Sequence, residues 1–263
     1  RAAVRLLRDG ALDMAIKSGL SAYKMSREIA ADPANRAAHS AATAQRYPHE
    51  LLPECLLLGK AYAQASQPDR ATYYLEQAST IAGEGPYPEA STNCALYSII
   101  AELYMLLGSS GEAERHYGEY CTRVEAHFGT LHLATGDCYN LLAAFYTHHA
   151  RYEPALDYCN RALKIRVQLL GVDHESTSDS HYNLGLLYRL HGEPHQARSA
   201  FQRALRIRTS CYGEHALEVA EVNVSAGFTD HQLGRLADAS AHYSHAYAVR
   251  RTRLGGDHPD TDE

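Results

Sequence analysis

The chain has 263 residues, 45% of them hydrophobic and 21% charged, with 19 Tyr, 4 Phe and no Trp, enough apolar surface for a continuous core. A formal net charge of −6 argues against a nucleic-acid binder, which needs a basic footprint. The longest apolar stretch, residues 95–107, is interrupted by Glu102 and too short to span a bilayer, so no membrane association is read.

From the N-terminus, residues 1–30 read as a truncated helical unit. The chain opens on Arg1 inside an apolar periodic segment, as a fragment of something longer would. Gly10 closes a first helix, and Ala15 and Ala22 mark a second. Residues 31–50, with Pro33 and Pro48 around an Ala-rich run, read as a linker or an extra helix. Residues 51–253 hold five units of one period. Residues 254–263 read as the start of a further repeat or a tail, with Pro259 where a helix would begin.

The period is 42 residues. Gly129, Gly171, Gly213 and Gly255 recur at that spacing, each after an apolar residue. Gly59, Ala101, Ala143, Gly185 and Gly227 form a small column. Three residues on come Tyr62, Tyr104, Tyr146 and Tyr188, with Asp230 breaking the series. Ala71, Ala113, Ala155, Ala197 and Ala239 follow without exception, and Ala78, Ala162, Ala204 and Ala246 lapse only at Tyr120. Within a unit apolar residues recur at helical spacing, as in Tyr97, Ile100, Ala101 and Tyr104. Small residues let two antiparallel helices approach, and a glycine such as Gly108, Gly192 or Gly234 closes the first of them. Pro68 and Pro194 stand at the entry to the second helix, where a proline lacks no needed donor. The fold expected is all-α: a solenoid of stacked antiparallel helix pairs.

These columns resemble the tetratricopeptide repeat (TPR), most clearly in the row Leu184, Gly185, Tyr188, Ala197, Phe201, Ala204. The usual tryptophan column is here Cys55, Tyr97, Tyr139, His181 and Asn223. The 42-residue period and the linker Leu254-Gly255-Gly256-Asp257-His258-Pro259 are similar to the kinesin-light-chain subtype. The resemblance implies a right-handed superhelix. Phe128-Gly129-Thr130, with Thr135-Gly136-Asp137-Cys138-Tyr139, resembles the TPR part of axonemal MYND-finger/TPR proteins of inner dynein arms. That likeness implies a non-catalytic subunit linking a motor to a microtubule or to another TPR protein, located in the cytoplasm, on the cytoskeleton or in a cilium. The resemblances also leave open the helical domain of a MYND-bearing lysine methyltransferase, the sensor array of a P-loop signalling protein, and a light-chain cargo adaptor.

No catalytic constellation is present: no G-x-S-x-G, P-loop, H-E-x-x-H or G-x-G-x-x-G. No cofactor is called for, and the 16 histidines, several near turns (His148, His149, His191, His195, His231), lack the Cys or carboxylate pattern of a zinc site. The six cysteines have no C-x-x-C pair and read as reduced core thiols. Carried over by resemblance, the inner-surface columns are Lys60, Glu102, Asn140, Tyr182, Arg189, Phe228 and His231, a mix suited to peptide capture. Asn183 and Arg189 do not complete the family's clamp for chaperone tails. Arg206, Arg208, Arg250 and Arg251, at the ends of second helices, read as a basic convex surface for an acidic partner, against the simpler role of complementing the helix dipole.

Overall fold

A computed structural model of the chain describes residues 12–31, 51–84 and 90–255. Among these residues there are eleven helices and no strand. They fall into two compact units, Arg1–His127 and Phe128–Glu263.

In the first unit α1 spans Leu12–Ala31, α2 Leu52–Gln64, α3 Pro68–Glu84, α4 Ala90–Leu106 and α5 Ser110–Phe128, the last residue falling at the boundary. A core of Leu58, Tyr62 and Ala71 is packed by Ile16, Leu20, Tyr23 and Tyr74. A side chain at Gly19 would begin 2.9 Å from Leu58, so α1 and α2 approach closely there.

In the second unit α6 spans Leu133–His148, α7 Tyr152–Leu170, α8 Glu175–Leu190, α9 Pro194–Tyr212, α10 Leu217–Gln232 and α11 Leu236–Leu254. Three-residue turns join α6 to α7, α8 to α9 and α10 to α11, which makes each pair antiparallel. Gly192 and Gly234 take left-handed φ values of 83° and 72° in these turns, and Ala150 takes the same conformation at 54° without being glycine. The helix starts are tied down locally. Thr135 and Thr177 donate to the carbonyls of Gly129 and Gly171 at 2.7 and 2.8 Å. His132 and His174 cap α6 and α8 through Nδ1, which accepts from the Ala134 and Ser176 amides.

The periodic columns form the interior of each unit. The invariant alanines Ala71, Ala113, Ala155, Ala197 and Ala239 are buried, as are Cys55, Tyr97, Tyr139, His181 and Asn223 in the tryptophan column. Gly185 shows why its column must be small: a Cβ there would lie 2.5 Å from the Phe201 ring. Asp230, where the tyrosine series breaks, is buried and accepts from Arg198 Nε at 2.7 Å.

The structure corrects two expectations. Cys55, Cys121, Cys138 and Cys159 are buried free thiols, but Cys211 is exposed, because it sits in the last turn of α9. Burial pushes the Cys55 and Cys159 thiols up to about 12, which keeps them protonated. Arg208, expected on a basic convex surface, is buried. The turn at Gly10, the 32–50 linker and the 256–263 segment lie outside the described residues.

Candidate partner-binding groove

Five of the seven inner-surface positions belong to the first helices of the second unit: Asn140 on α6, Tyr182 and Arg189 on α8, Phe228 and His231 on α10. Lys60 on α2 and Glu102 on α4 are exposed on the first unit.

The second unit's helices are spaced by arginines that the second helices send back across the first. Arg166 of α7 donates to Asp137 on α6 at 2.9 Å, and to Ser180 and the Ser176 carbonyl on α8 at 2.9 and 3.2 Å. With its amide oxygen turned toward the guanidinium, Asn140 accepts from both terminal nitrogens of Arg166 at 3.3 and 2.8 Å. One period later Arg208 of α9 donates to Asp179 on α8 at 3.0 Å, to Glu221 on α10 at 2.7 Å, and to the Glu218 carbonyl at 2.9 Å. Its side chain is 8% exposed. Burial works against its charge, but Glu221 and Asp179 outweigh that and raise its pKa.

Arg208 thus cannot serve a convex basic surface; its column points between repeats, because the acids Asp137, Asp179 and Glu221 wait there at the same 42-residue spacing. Of the other basic candidates, Arg206 is exposed and paired with Asp173 at 3.0 Å, Arg250 is half-buried, and Arg251 is exposed.

Tyr182 stands beside this ladder. The Arg208 guanidinium lies 4.9 Å from its ring centroid, its hydroxyl meets Ser225 Oγ at 3.2 Å, and its ring is 5.7 Å from that of Phe201. It therefore braces α8 against α9 and α10. Towards the other end of these helices, Arg189 lies 5.0 Å from the centroid of the Phe228 ring, which is 42% exposed. A cleft of about 390 Å³ opens between α6 and α8, lined by Ala144, Leu186 and Leu190 with the amides of Asn140 and Asn183. Apolar walls with a few polar groups are the usual lining of a ligand cleft. His231 is exposed at the end of α10.

The inner-surface columns expected from the sequence leave out Arg166, Asn183 and Leu186. The paired 42-residue series of arginines and acids could have found the first; the others needed the neighbouring helix. Among the described residues no three His, Cys, Asp or Glu side chains converge as metal ligands, and no helix is long and apolar enough to cross a membrane.

The tetratricopeptide-repeat signature matches residues 139–210 and again 226–260. The chain carries tetratricopeptide repeats. Its structure is similar to BtubC (BKLC) from P. vanneervenii, at 20% identity, with a TM-score of 0.66 over 95% of this chain and 94% of that one. It is also similar to a Podosopora anserina protein described as a kinesin light chain with nearly identical TPR-like repeats, at 18% identity and a TM-score of 0.64 over 79% and 98%. A third likeness is to a STAND signal-transduction ATPase with a TPR sensor from Pyrococcus horikoshii, at 20% identity and a TM-score of 0.56 over 81% of this chain and 32% of that one. These likenesses establish the TPR-solenoid fold, with kinesin-light-chain-like TPRs among its structural neighbours. No curated protein sequence matches the chain significantly. TPR arrays are generally scaffolds for protein–protein interaction, and the repeats and fold of this chain support that role.

Proposed function

We propose that the second unit captures a peptide segment of a protein partner along α6, α8 and α10, and that the chain acts as a non-catalytic adaptor. The observation that carries this is the Arg189–Phe228 platform, whose arginine stands on α8, the helix that also lines the apolar, amide-edged cleft. A half-exposed ring under a guanidinium offers apolar area and a cation together, as anchor sites in interfaces do. The two asparagine amides at the cleft supply donors and acceptors for a peptide main chain.

The test is a peptide selection against the intact chain, followed by Arg189→Ala with Phe228→Ala. Selected peptides should lose binding while helicity is unchanged; retained binding moves the site off this groove. Tyr182 is unsuitable as the test position, because it also braces Arg208 and Ser225.

The partner class that the resemblances favour is a motor or cytoskeletal subunit in the cytoplasm, since light-chain-like repeats occur both in the linker sequence and among the structural neighbours. Docking of an inner dynein arm in a cilium is the narrowest form of this reading and rests on the sequence resemblance around Phe128–Tyr146, taken with the block Leu51–Glu76. Co-purification with a dynein subunit from ciliated cells, abolished by the same two substitutions, is what would support it.

A further inference from the structure

One ring stack recurs in three successive repeats and is absent from the two that follow, for different reasons. Tyr74 stacks on Tyr62 with centroids 5.7 Å apart and planes 6° apart, and His116 stacks on Tyr104 at 5.3 Å and 10°. Tyr158 stacks on Tyr146 at 5.7 Å and 11°. Tyr74, His116 and Tyr158 are 42 residues apart, as are their partners. The next two positions in the series are Ala200 and His242. His242 faces Asp230, which replaces the tyrosine, at 3.5 Å. Ala200 and Tyr188 line one cleft, and among the described residues no ring stacks on Tyr188 there.

The repeat before it shows what the gap is shaped for. There the Tyr158 ring also meets Tyr139, at 5.6 Å, and lies beneath Arg161, 5.4 Å from its centroid. In the following repeat the three surrounding groups are Tyr188, His181 and Arg203, and the ring itself is absent. The result is a cleft of about 370 Å³ between α7, α8 and α9, lined by His181, Leu184, Tyr188, Ala200 and Arg203. That volume falls in the ~300–1,000 Å³ range of small-ligand pockets.

The charge at its rim has changed as well. Arg161 is paired with Asp157 four residues back, but the matching residue before Arg203 is Ser199. Arg203 makes no ion pair among the described residues, His195 stands on the same rim, and no carboxylate lines the cleft. The vacancy therefore takes an aromatic ring and favours negative charge beside it.

We propose that this cleft receives a tyrosine ring from an acidic segment of a protein partner, stacked on Tyr188 beneath Arg203. The slot is open to solvent, so a free small ring would meet only three walls. A partner segment adds contacts with the exposed rim of Asn160, His195, Gln196 and Ser199. The site shares no lining residue with the groove cleft and does not depend on the reading of that groove.

The experiment is an NMR titration of the intact chain with acetyl-Glu-Tyr-Glu-amide, beside acetyl-Glu-Leu-Glu-amide and 4-hydroxyphenylacetate. The tyrosine peptide should bind saturably, with shifts at Tyr188 and Ala200, and the leucine peptide about tenfold more weakly. Ala200→Tyr, which rebuilds the internal stack, should abolish binding and raise the melting temperature. Arg203→Glu, an exposed change that leaves the core untouched, should weaken binding if Ala200→Tyr proves misfolded by circular dichroism. Arg189→Ala with Phe228→Ala should leave binding unaltered. No binding, equal binding of the leucine peptide, or persistent binding by folded Ala200→Tyr overturns the proposal. Tighter binding of 4-hydroxyphenylacetate than of the tyrosine peptide overturns the assignment to a partner.

Discussion

Arg208 and Glu221 meet at 2.7 Å across the junction between two successive repeats, the arginine buried and the carboxylate half-exposed. Asp179, on the arginine's own repeat, holds the same guanidinium from the other side. The contact is thus a link between neighbouring helix pairs, and it is made by a residue whose sequence position alone suggests a surface cation.

Arg208→Met is expected to destabilise the second unit by about 2 kcal/mol, through loss of its charge-assisted hydrogen bonds to Asp179, Glu221 and the Glu218 carbonyl. The cost stays below the ~3–5 kcal/mol of a fully buried broken pair because Asp179 and Glu221 return to water. Arg206→Ala, at a pair 69% exposed on both sides, should stay within about 0.5 kcal/mol. Urea unfolding of the two variants measures the difference; equal effects would mean that Arg208 is not a link.

Gly185→Ala and Gly227→Ala change the same column with different expected outcomes. A Cβ at 185 meets the fully buried Phe201 ring at 2.5 Å, and the ring has nowhere to go. A Cβ at 227 meets Tyr243 at 3.0 Å, and that ring is 38% exposed and free to swing. We expect a loss of about 1–3 kcal/mol at 185 and little change at 227, read from melting curves. Ala197→Leu, against the same Phe201 core, should overpack by a similar ~1–3 kcal/mol.

His116 is fully buried against Tyr104, and its pKa is lowered to about 4, chiefly by desolvation and then by Arg115. The neutral ring is the form the fold accepts. Its contribution is present above the unfolded value of 6.5 and is lost as pH falls from there towards 4, on the order of 3 kcal/mol in total. His116→Tyr restores the residue found at Tyr74 and Tyr158 and should flatten this acid limb. Stability of the two proteins followed from pH 7 to pH 4 (about the span of the titration) decides it, and parallel curves would sink the assignment.

Ala150→Gly should stabilise the turn between α6 and α7. Ala150 holds a φ of 54°, where a Cβ costs roughly 1–2 kcal/mol, and Gly192 and Gly234 occupy the same place in the later repeats. After the extra chain entropy of glycine, a net gain of about 0.5–1 kcal/mol is expected. A lower melting temperature would contradict it.

The helices, their pairing and their buried columns were legible in the sequence because a small or apolar residue repeated every 42 residues has one physical use, burial between helices of the same kind. Ala197 and Gly185 needed no coordinates to be placed. The candidate groove was legible only as a set of columns. Tyr182 and Phe228 fall in such columns together, yet one is locked by Arg208 and Ser225 while the other lies half-exposed beneath Arg189. Side chains from the neighbouring repeat make that distinction, and no residue carries it alone.

The sequence by itself determined the repeat, the all-helical class and the compositional bias toward tyrosine, whose rings occupy the column where tryptophan is usual and the ring stacks beside it. Only the tertiary structure decided that Arg208 turns inward, that Asp230 is buried with Arg198, and that a ring is missing opposite Tyr188. Periodicity reports what each position has in common across repeats. Which partner a side chain meets depends on the facing helix, where a change such as Tyr158 to Ala200 leaves the helix intact and alters the surface it builds.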